Sequence, residues 1–425
     1  MDTFLITLKR IFNDKKIRKQ ILFMIFVIVL FRLLSNIPIP GADPARLSQF
    51  LDSDSFLGIF NLLSGGGLSS LSVIMLGVGP YITASIIMQL LSFVSPRVKS
   101  LYQDEGEIGR KKVHSYTRLI TVPLAILQSV SLLVLLTRQG VLPQFSTIDM
   151  VINVAVAIGG SFLLMWIADV ATEFGIGNGM SFVIFAGIVA SIPSYTNQIV
   201  LNWSPSDAVM YIVFAILAIL LVAGTIFITE AERPVPVTYA RQGGNGGRVF
   251  GANQTYLPLR VNQAGVIPII FALSILLFPQ IIGNFLSGNS HAVLAKIGSS
   301  LTHFSQTTWL YSTIYFALVV IFTYFYTAVT FDPKQISENL QRSGAFIPGV
   351  RPGIPTRDYL GHIVTRITLV GSIFLGIIAI LPLIAKAISG NQALAIGGTA
   401  LLIVVSVVID IIKKIEAQMS SQEYR

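Results

Sequence analysis

The 425-residue chain contains no cysteine, which excludes disulfides, thiolate metal centres and thiol nucleophiles together, while leaving the redox state of its surroundings open. It is also poor in charge: 29 Lys and Arg and 20 Asp and Glu make up only 12% of the residues. The 4 histidines, His114, His291, His303 and His362, are scattered, and no His-Glu-x-x-His or other ligand spacing joins them, so no metal site is expected. A hydrolase working inside the bilayer needs a nucleophile and base, or two acids, within reach of each other at depth. No such pair is present, and no catalytic residue is assigned. Five acids fall near apolar stretches, Asp169, Glu173, Glu230, Glu232 and Asp410, all at their inner ends. An ion-coupled carrier keeps such groups near the midplane, where charge is costly and retained for binding or relay. The run Gln242-Gly243-Gly244-Asn245-Gly246-Gly247 resembles a phosphate cradle in glycine content alone. No Gly-Lys-Ser/Thr follows and no strand is expected before it, so it reads as a flexible loop tip and no cofactor is predicted.

What the chain has in abundance is apolar surface. With 53% hydrophobic residues and a mean hydropathy of +0.75, it has too little polar surface for a soluble globule and is read as an integral membrane protein. A crossing helix needs about 20 apolar residues. Ten such runs lie near 18–37, 72–95, 118–137, 150–171, 179–198, 208–229, 262–284, 309–331, 363–385 and 393–412. The first follows Lys15, Lys16, Arg18 and Lys19 and ends at Asn36-Ile37-Pro38-Ile39-Pro40-Gly41 without a small-residue cleavage pattern, which predicts a retained anchor.

Threading the ten runs alternately, with the amino terminus inside, puts 24 of the 29 basic residues on one side. Arg46, Arg138, Lys296 and Lys386 fall outside and Arg32 within a run. The positive-inside bias then directs the long basic connections, and both termini, to the cytoplasm. The net charge of +9 sits in connections beside the bilayer, where anionic headgroups attract it without any need for nucleic acid. The short outside segment around 194–207 divides the chain into residues 1–200, spans one to five, and residues 201–425, spans six to ten. An odd span count makes two tandem units of one fold insert upside down relative to each other, an arrangement common among proteins that move something across membranes. Just before the second run, residues 56–72 form a helix-like apolar piece too short to cross and broken by Ser64-Gly65-Gly66-Gly67. Three glycines make it weakly held. It reads either as an outside loop or as a re-entrant piece, which is tolerated at depth only beside protein or a water-filled cavity.

Several stretches resemble the SecY family, the central channel subunit of the general secretion translocon. They are Ile37-Pro38-Ile39-Pro40-Gly41, Phe60-Asn61-Leu62-Leu63-Ser64-Gly65-Gly66, the run from Pro80 to Leu91, and Gly106-Glu107-Ile108-Gly109-Arg110-Lys111-Lys112. Further matches are the runs Thr172 to Gly179, Leu257 to Pro268 and, most specific, Ser343 to Gly353. Their order extends over residues 18 to about 415. The resemblance implies an all-α membrane protein of ten transmembrane helices, in two inverted five-helix halves around a central pore with a re-entrant plug helix.

Such a channel passes unfolded secretory polypeptide across the bacterial cytoplasmic membrane and releases apolar segments sideways into lipid. Carrying over the family's pore ring gives Val78, Ile82, Met180, Ile184, Ile270 and Ile403, all apolar. An aliphatic constriction suits a pore for arbitrary sequences, and hydrophobic constrictions block water and ions by dewetting. The plug falls at about 57–72, with Phe60, Asn61, Ser64, Gly65, Gly66 and Gly67. Spans two and seven form the lateral gate, on which Gln89 and Asn262 are polar positions. The loops at about 230–261 and 331–362 correspond to those that receive the ribosome or the SecA motor ATPase, with Arg241, Arg248, Lys334, Arg351 and Arg357 as contacts. Gly247-Arg248 stands where family members often carry an adjacent basic pair. The partners so implied are SecE-type and SecG-type subunits, SecA, the ribosome, signal peptides, nascent chains and membrane lipids. The alternative is an inverted-repeat secondary transporter of a small solute. The interfacial position of the acids and the three long basic connections disfavour it.

Overall fold

A computed structural model describes residues 14–40, 61, 64–103, 105–138, 140–201, 208–239, 254–286, 292–306, 308–389 and 392–423. The fold is helical, as the composition predicts, with one small sheet that it does not. In chain order the elements are α1 (Lys15–Ser35), α2 (Gly79–Val94), α3 (Pro96–Gln103), α4 (Gly106–Arg138), α5 (Thr147–Phe174) and α6 (Gly179–Leu201). Then come α7 (Ala208–Glu230), β1 (Glu232–Tyr239), β2 (Gln254–Arg260), α8 (Ile267–Leu286), α9 (Ala292–Gln306) and α10 (Thr308–Thr330). The last are α11 (Pro333–Arg342), β3 (Ala345–Phe346), α12 (Ile354–Ser389) and α13 (Gln392–Glu423). Each of the ten apolar runs falls on a helix of its own.

Local chemistry sets the helix ends. Asp14 caps α1 by accepting from the Lys16 and Ile17 amides at 2.7 and 3.4 Å, and Ser146 caps α5 by accepting from the Asp149 amide at 3.3 Å. Asn178 Oδ1 accepts from the Met180 amide at 2.9 Å, so this residue and its flanking glycines form the tight connection between α5 and α6. Asp332 caps α11, with Pro333 in the first turn. The chain bends by 113° between α2 and α3, where Ser95 precedes Pro96 and is held extended. Buried hydroxyls return their hydrogen bonds to the carbonyl four residues back. Thr117 does so to Val113, Thr121 to Thr117, Ser129 to Ala125, Thr323 to Val319 and Thr327 to Thr323. No polar atom of these side chains is left to seek water inside an apolar setting.

Among the described residues, four helical stretches are long and apolar enough to cross a bilayer: Gly106–Arg138, Thr147–Phe174, Trp309–Arg342 and Ile354–Ala385. The bent pair at 79–102 makes a fifth if counted as one span. Gly179–Pro193, Ala215–Glu230 and Ile267–Gly283 are shorter apolar helices, and Pro193 and Pro279 interrupt two of these elements.

The structure divides into two compact units: residues 1–215, 273–311 and 382–425, and residues 216–272 and 312–381. In the first, α5 packs on α4 and α6, α13 on α6, α2 on α4, and α1 on both α5 and α6. In the second, the connections expected as loops are folded. Strand β1 pairs antiparallel with β2, from Glu232 opposite Arg260 to Thr238 opposite Gln254, and with β3 through Thr238 opposite Phe346. The order is β2-β1-β3. Prolines at 234 and 236 are tolerated because β3 reaches only the far end of β1, leaving that edge unpaired where they sit. Val235, Val237, Leu259, Ala345, Ile347, Leu360, Ile363 and Val364 form the core, with Phe331, Ile336 and Leu340 packed against it. Strand β1 thus precedes the glycine-rich run at 242–247, contrary to expectation. That run lies outside the described residues, and the missing Gly-Lys-Ser/Thr still disqualifies it as a phosphate cradle.

Two other expectations are corrected. The second run was expected to be helical from about residue 72, but the helix starts at Gly79. Residues 64–78 are a succession of turns, through Leu71 at φ 45° and Gly77 at φ 57°. Of the broken piece at 56–72, Asn61 is helical and the residues from Ser64 form this turn segment, while residues 56–60, 62 and 63 lie outside the described residues. Asn262 was placed on the seventh span but precedes α8, whose start is set by the left-handed Gly265 and by Pro268 in the first turn. The amphipathic α9 was not expected at all.

Candidate functional site

Five of the six apolar positions assigned to a constriction lie in the first unit. Val78 caps α2 and Ile82 stands one turn on. Met180 and Ile184 are likewise a turn apart on α6. Ile403, on α13, is a fifth in this unit and fully buried; its helix packs against α6. Met180 is half-buried and the other four of this unit are buried. Ile270, on α8, is buried in the second unit.

The turn segment is tied at one end by hydrogen bonds. The Ile39 amide donates to the Leu71 carbonyl at 2.8 Å and the Val73 amide to the Ile37 carbonyl at 2.9 Å, while Ser70 Oγ donates to the Ser35 carbonyl. Its own folding uses Asn61, whose Oδ1 accepts from the Ser69 amide at 2.9 Å and whose carbonyl accepts from the Gly66 amide at 2.8 Å and from Ser64 Oγ at 3.0 Å. Gly65 and Gly66 adopt φ of 69° and 81°, the left-handed region that side chains disfavour. Gly67 is closed in by the Ile74 carbonyl, 2.8 Å from where a Cβ would stand. Phe60 lies outside the described residues.

Of the two gate positions, Gln89 is half-buried on α2 and its Nε2 donates to Ser85 Oγ at 3.4 Å, while Asn262 Nδ2 donates to the Gly265 carbonyl at 3.2 Å. The side-chain carbonyls of both are buried without a hydrogen-bond partner. The basic positions Lys334, Arg351 and Arg357 are exposed on the second unit. Arg351 sits on the turn between Gly349 and Gly353, both left-handed. That turn is held by Val350 N to the Ile347 carbonyl at 3.0 Å, Ser337 Oγ to the Gly353 carbonyl at 2.7 Å and Thr356 Oγ1 to the Arg351 carbonyl at 2.8 Å. Its guanidinium therefore projects from a fixed backbone. Arg357 pairs with Asp358 at 2.8 Å. Arg241 and Arg248 lie outside the described residues.

Two clusters in the first unit went unread in the sequence. Tyr81 of α2, His114 and Arg118 of α4 and Asp169 of α5 meet. The Tyr81 hydroxyl is 3.3 Å from His114 Nε2, which is 3.8 Å from Asp169 Oδ1, and Arg118 donates to Asp169 Oδ2. Residues drawn from three helices far apart in sequence carry no spacing signal. Nearby on α4, the Glu105 carboxylate 2.8 Å from Lys112 Nζ raises the pKa of that ammonium, chiefly through their hydrogen bond. The second cluster surrounds Gln128, 5% exposed, whose Oε1 has no partner. It shares a small internal cavity with Leu76, Gly79, Thr83, Ser274, Leu277 and Ile281. A glutamine in an apolar run is visible in a sequence, but its burial is not. Among the described residues no group of three metal-ligating side chains converges.

Apolar helices bearing buried aliphatic positions, a glycine-rich turn segment packed against them and a folded module in two basic connections define a polytopic helical membrane protein. The sequence profile of the SecY family matches residues 72–412, and this chain belongs to that family. It is 40% identical over 433 residues to the protein translocase subunit SecY of Corynebacterium glutamicum, covering 97% of each chain. It is 39% identical over 430 residues to that of Mycobacterium tuberculosis strain H37Rv, covering 96% of each. Among solved structures it is similar to one described as a protein conducting channel, with a TM-score of 0.63 and 17% identity over 95% of this chain and 93% of the other. A structure reported for the SecY plug domain as stabilising the closed channel gives a TM-score of 0.66 at 18% identity, with the same coverage.

Proposed function

We propose that this chain is the protein-conducting subunit of a bacterial translocase, passing unfolded polypeptide across the cytoplasmic membrane and releasing apolar segments into lipid. The observation that carries this is the near-full-length 40% identity to a protein translocase subunit, together with the family match over residues 72–412. On this reading the ten apolar helices are ten spans in two inverted halves, residues 1–200 and 201–425, with both termini inside. Val78, Ile82, Met180, Ile184, Ile270 and Ile403 form a constriction whose side chains offer no hydrogen bond and no charge. It therefore grips no particular sequence and stays dry when empty. The turn segment from Asn61 closes the outer side of that constriction, and Gln89 and Asn262 lie along the lateral exit.

The cytoplasmic module supplies the docking face. Arg351 on its fixed turn, with Lys334 and Arg357, meets acidic or phosphate groups on a motor ATPase or ribosome; a guanidinium suits such contacts through its paired donors. A SecE-type subunit bracing the halves and a SecG-type subunit complete the assembly. Interfacial acids and the absence of a catalytic constellation make the chain a channel rather than an enzyme or an ion-coupled carrier.

The test is reconstitution of the purified chain with its small subunits, SecA, ATP and a secretory precursor. Protease-protected precursor inside the vesicles is the expected result. Solute uptake driven by an ion gradient, with no protected precursor, would overturn the reading.

A further inference from the structure

We infer that Gly187 of α6 is the seat on which the turn segment rests, and that its lack of a side chain keeps the segment in place; this rests on the channel reading. A Cβ added to Gly187 would collide with the Gly65 Cα, far inside the 3.0 Å that real Cβ atoms keep, and would stand 3.1 and 3.2 Å from the Gly65 carbonyl carbon and oxygen. The converse also holds: a Cβ on Gly65 would stand 2.8 Å from the Gly187 Cα and 2.5 Å from Cζ of the buried Phe31 on α1. Backbone therefore lies on backbone, with the Phe31 ring closing the other side. One turn further along α6, Ser191 Oγ is 3.1 Å from where a Gly66 Cβ would stand. That hydroxyl donates to the Gly187 carbonyl at 3.0 Å, so it is already satisfied within its helix.

The two ends of the segment are thus fastened differently. Residues 70–73 are hydrogen-bonded to the chain after α1. Among the described residues, no hydrogen bond joins Gly65 or Gly66 to α6. The contact there is close packing alone, which is short-ranged and lost as soon as the surfaces part. The glycine end lifts off α6 as a unit while the 70–73 end stays as the hinge. A methyl group at position 187 is enough to prevent reseating, whereas the polypeptide route itself is unchanged.

The experiment uses the complete channel with its small subunits. In planar bilayers Gly187→Ala is expected to raise ion conductance in the resting state at least tenfold, with precursor transport retained. Gly159→Ala on α5, where an added Cβ meets nothing within 4 Å, is expected to match the parent. Since the chain has no cysteine, the double variant Gly66→Cys with Ser191→Cys supplies a second reading that does not depend on the tolerance of position 187. Oxidation is expected to link the two and cut transport at least tenfold, with recovery on reduction. Resting conductance of Gly187→Ala equal to the parent, failure of the cysteines to link, or full transport through the linked form would each overturn the seat. If the parent transports precursor normally in those experiments, the channel reading survives that loss; if the parent transports none, the channel reading is what fails.

Discussion

The turn segment at 64–78 and the sheet module formed by residues 232–239, 254–260 and 331–364 are both insertions between apolar helices, yet they are held in opposite ways. The module has a ladder of sheet hydrogen bonds over a core that includes the fully buried Leu360, and it fixes charged side chains at its surface. The segment has few side chains to bury at its glycine end, where the Gly65 backbone lies on the Gly187 backbone of α6. On the proposed reading the module is a docking face, which must present the same charges to every partner and so is built to stay. On the same reading the segment is a closure that yields to each passing chain, which must cost little to displace and so uses contacts that vanish over a short distance.

The comparison is broken most severely at the module's core. Leu360→Ala removes a fully buried side chain and costs about 2–5 kcal/mol. Limited proteolysis is expected to cut the module rapidly while the apolar helices remain protected; equal resistance of the variant and the parent would show that this core does not hold the module. At the constriction, Ile403→Asn puts an amide where the ring is expected to be dry. Resting ion conductance should rise at least tenfold in planar bilayers, and a silent variant removes Ile403 from the ring.

Arg351→Glu is expected to slow SecA-driven transport about tenfold without changing the amount of channel in the membrane, because the turn that carries it is held by the Val350 amide and the Ser337 and Thr356 hydroxyls rather than by the guanidinium. Unchanged transport rates would deny it a contact. The smallest effect is expected for Asp169→Asn. Its pairing with Arg118 is partly exposed and contributes about 0.2–1 kcal/mol, so thermal unfolding should shift by no more than a few degrees. A larger drop would mean that Tyr81 and His114 depend on this carboxylate.

Much of the helical part was legible because hydrophobic runs of crossing length state it directly, and all ten fall on helices. The module was not, since three prolines in two strands, at 234, 236 and 258, argue against a sheet unless one knows that β1 is unpaired on one side where Pro234 and Pro236 sit. The start of α2 was misplaced by several residues because Leu71 to Val78 is as apolar as the helix that follows. Only the left-handed Gly77 and the position of Pro80 mark the boundary. Asn262 was assigned to α8 for the same reason. The glycines at 65 to 67 announced a special backbone, but their counterpart Gly187 did not. A single glycine in an apolar helix has many ordinary explanations, and the contact it makes is 122 residues away in the chain. Gln89 and the constriction residues came from resemblance to a family; aliphatic residues four apart are nearly unavoidable in such helices.

The central claim is that the six aliphatic positions face a passing polypeptide and not lipid. A photo-crosslinking residue placed singly at Val78, Ile82, Met180, Ile184, Ile270 and Ile403, with Ile219 on α7, 68% exposed, as the outward control, tests it on a precursor stalled midway through the channel. Adducts to the precursor from the six positions and none from 219 are the predicted outcome. Adducts to lipid from the six, with no precursor captured, would contradict the account.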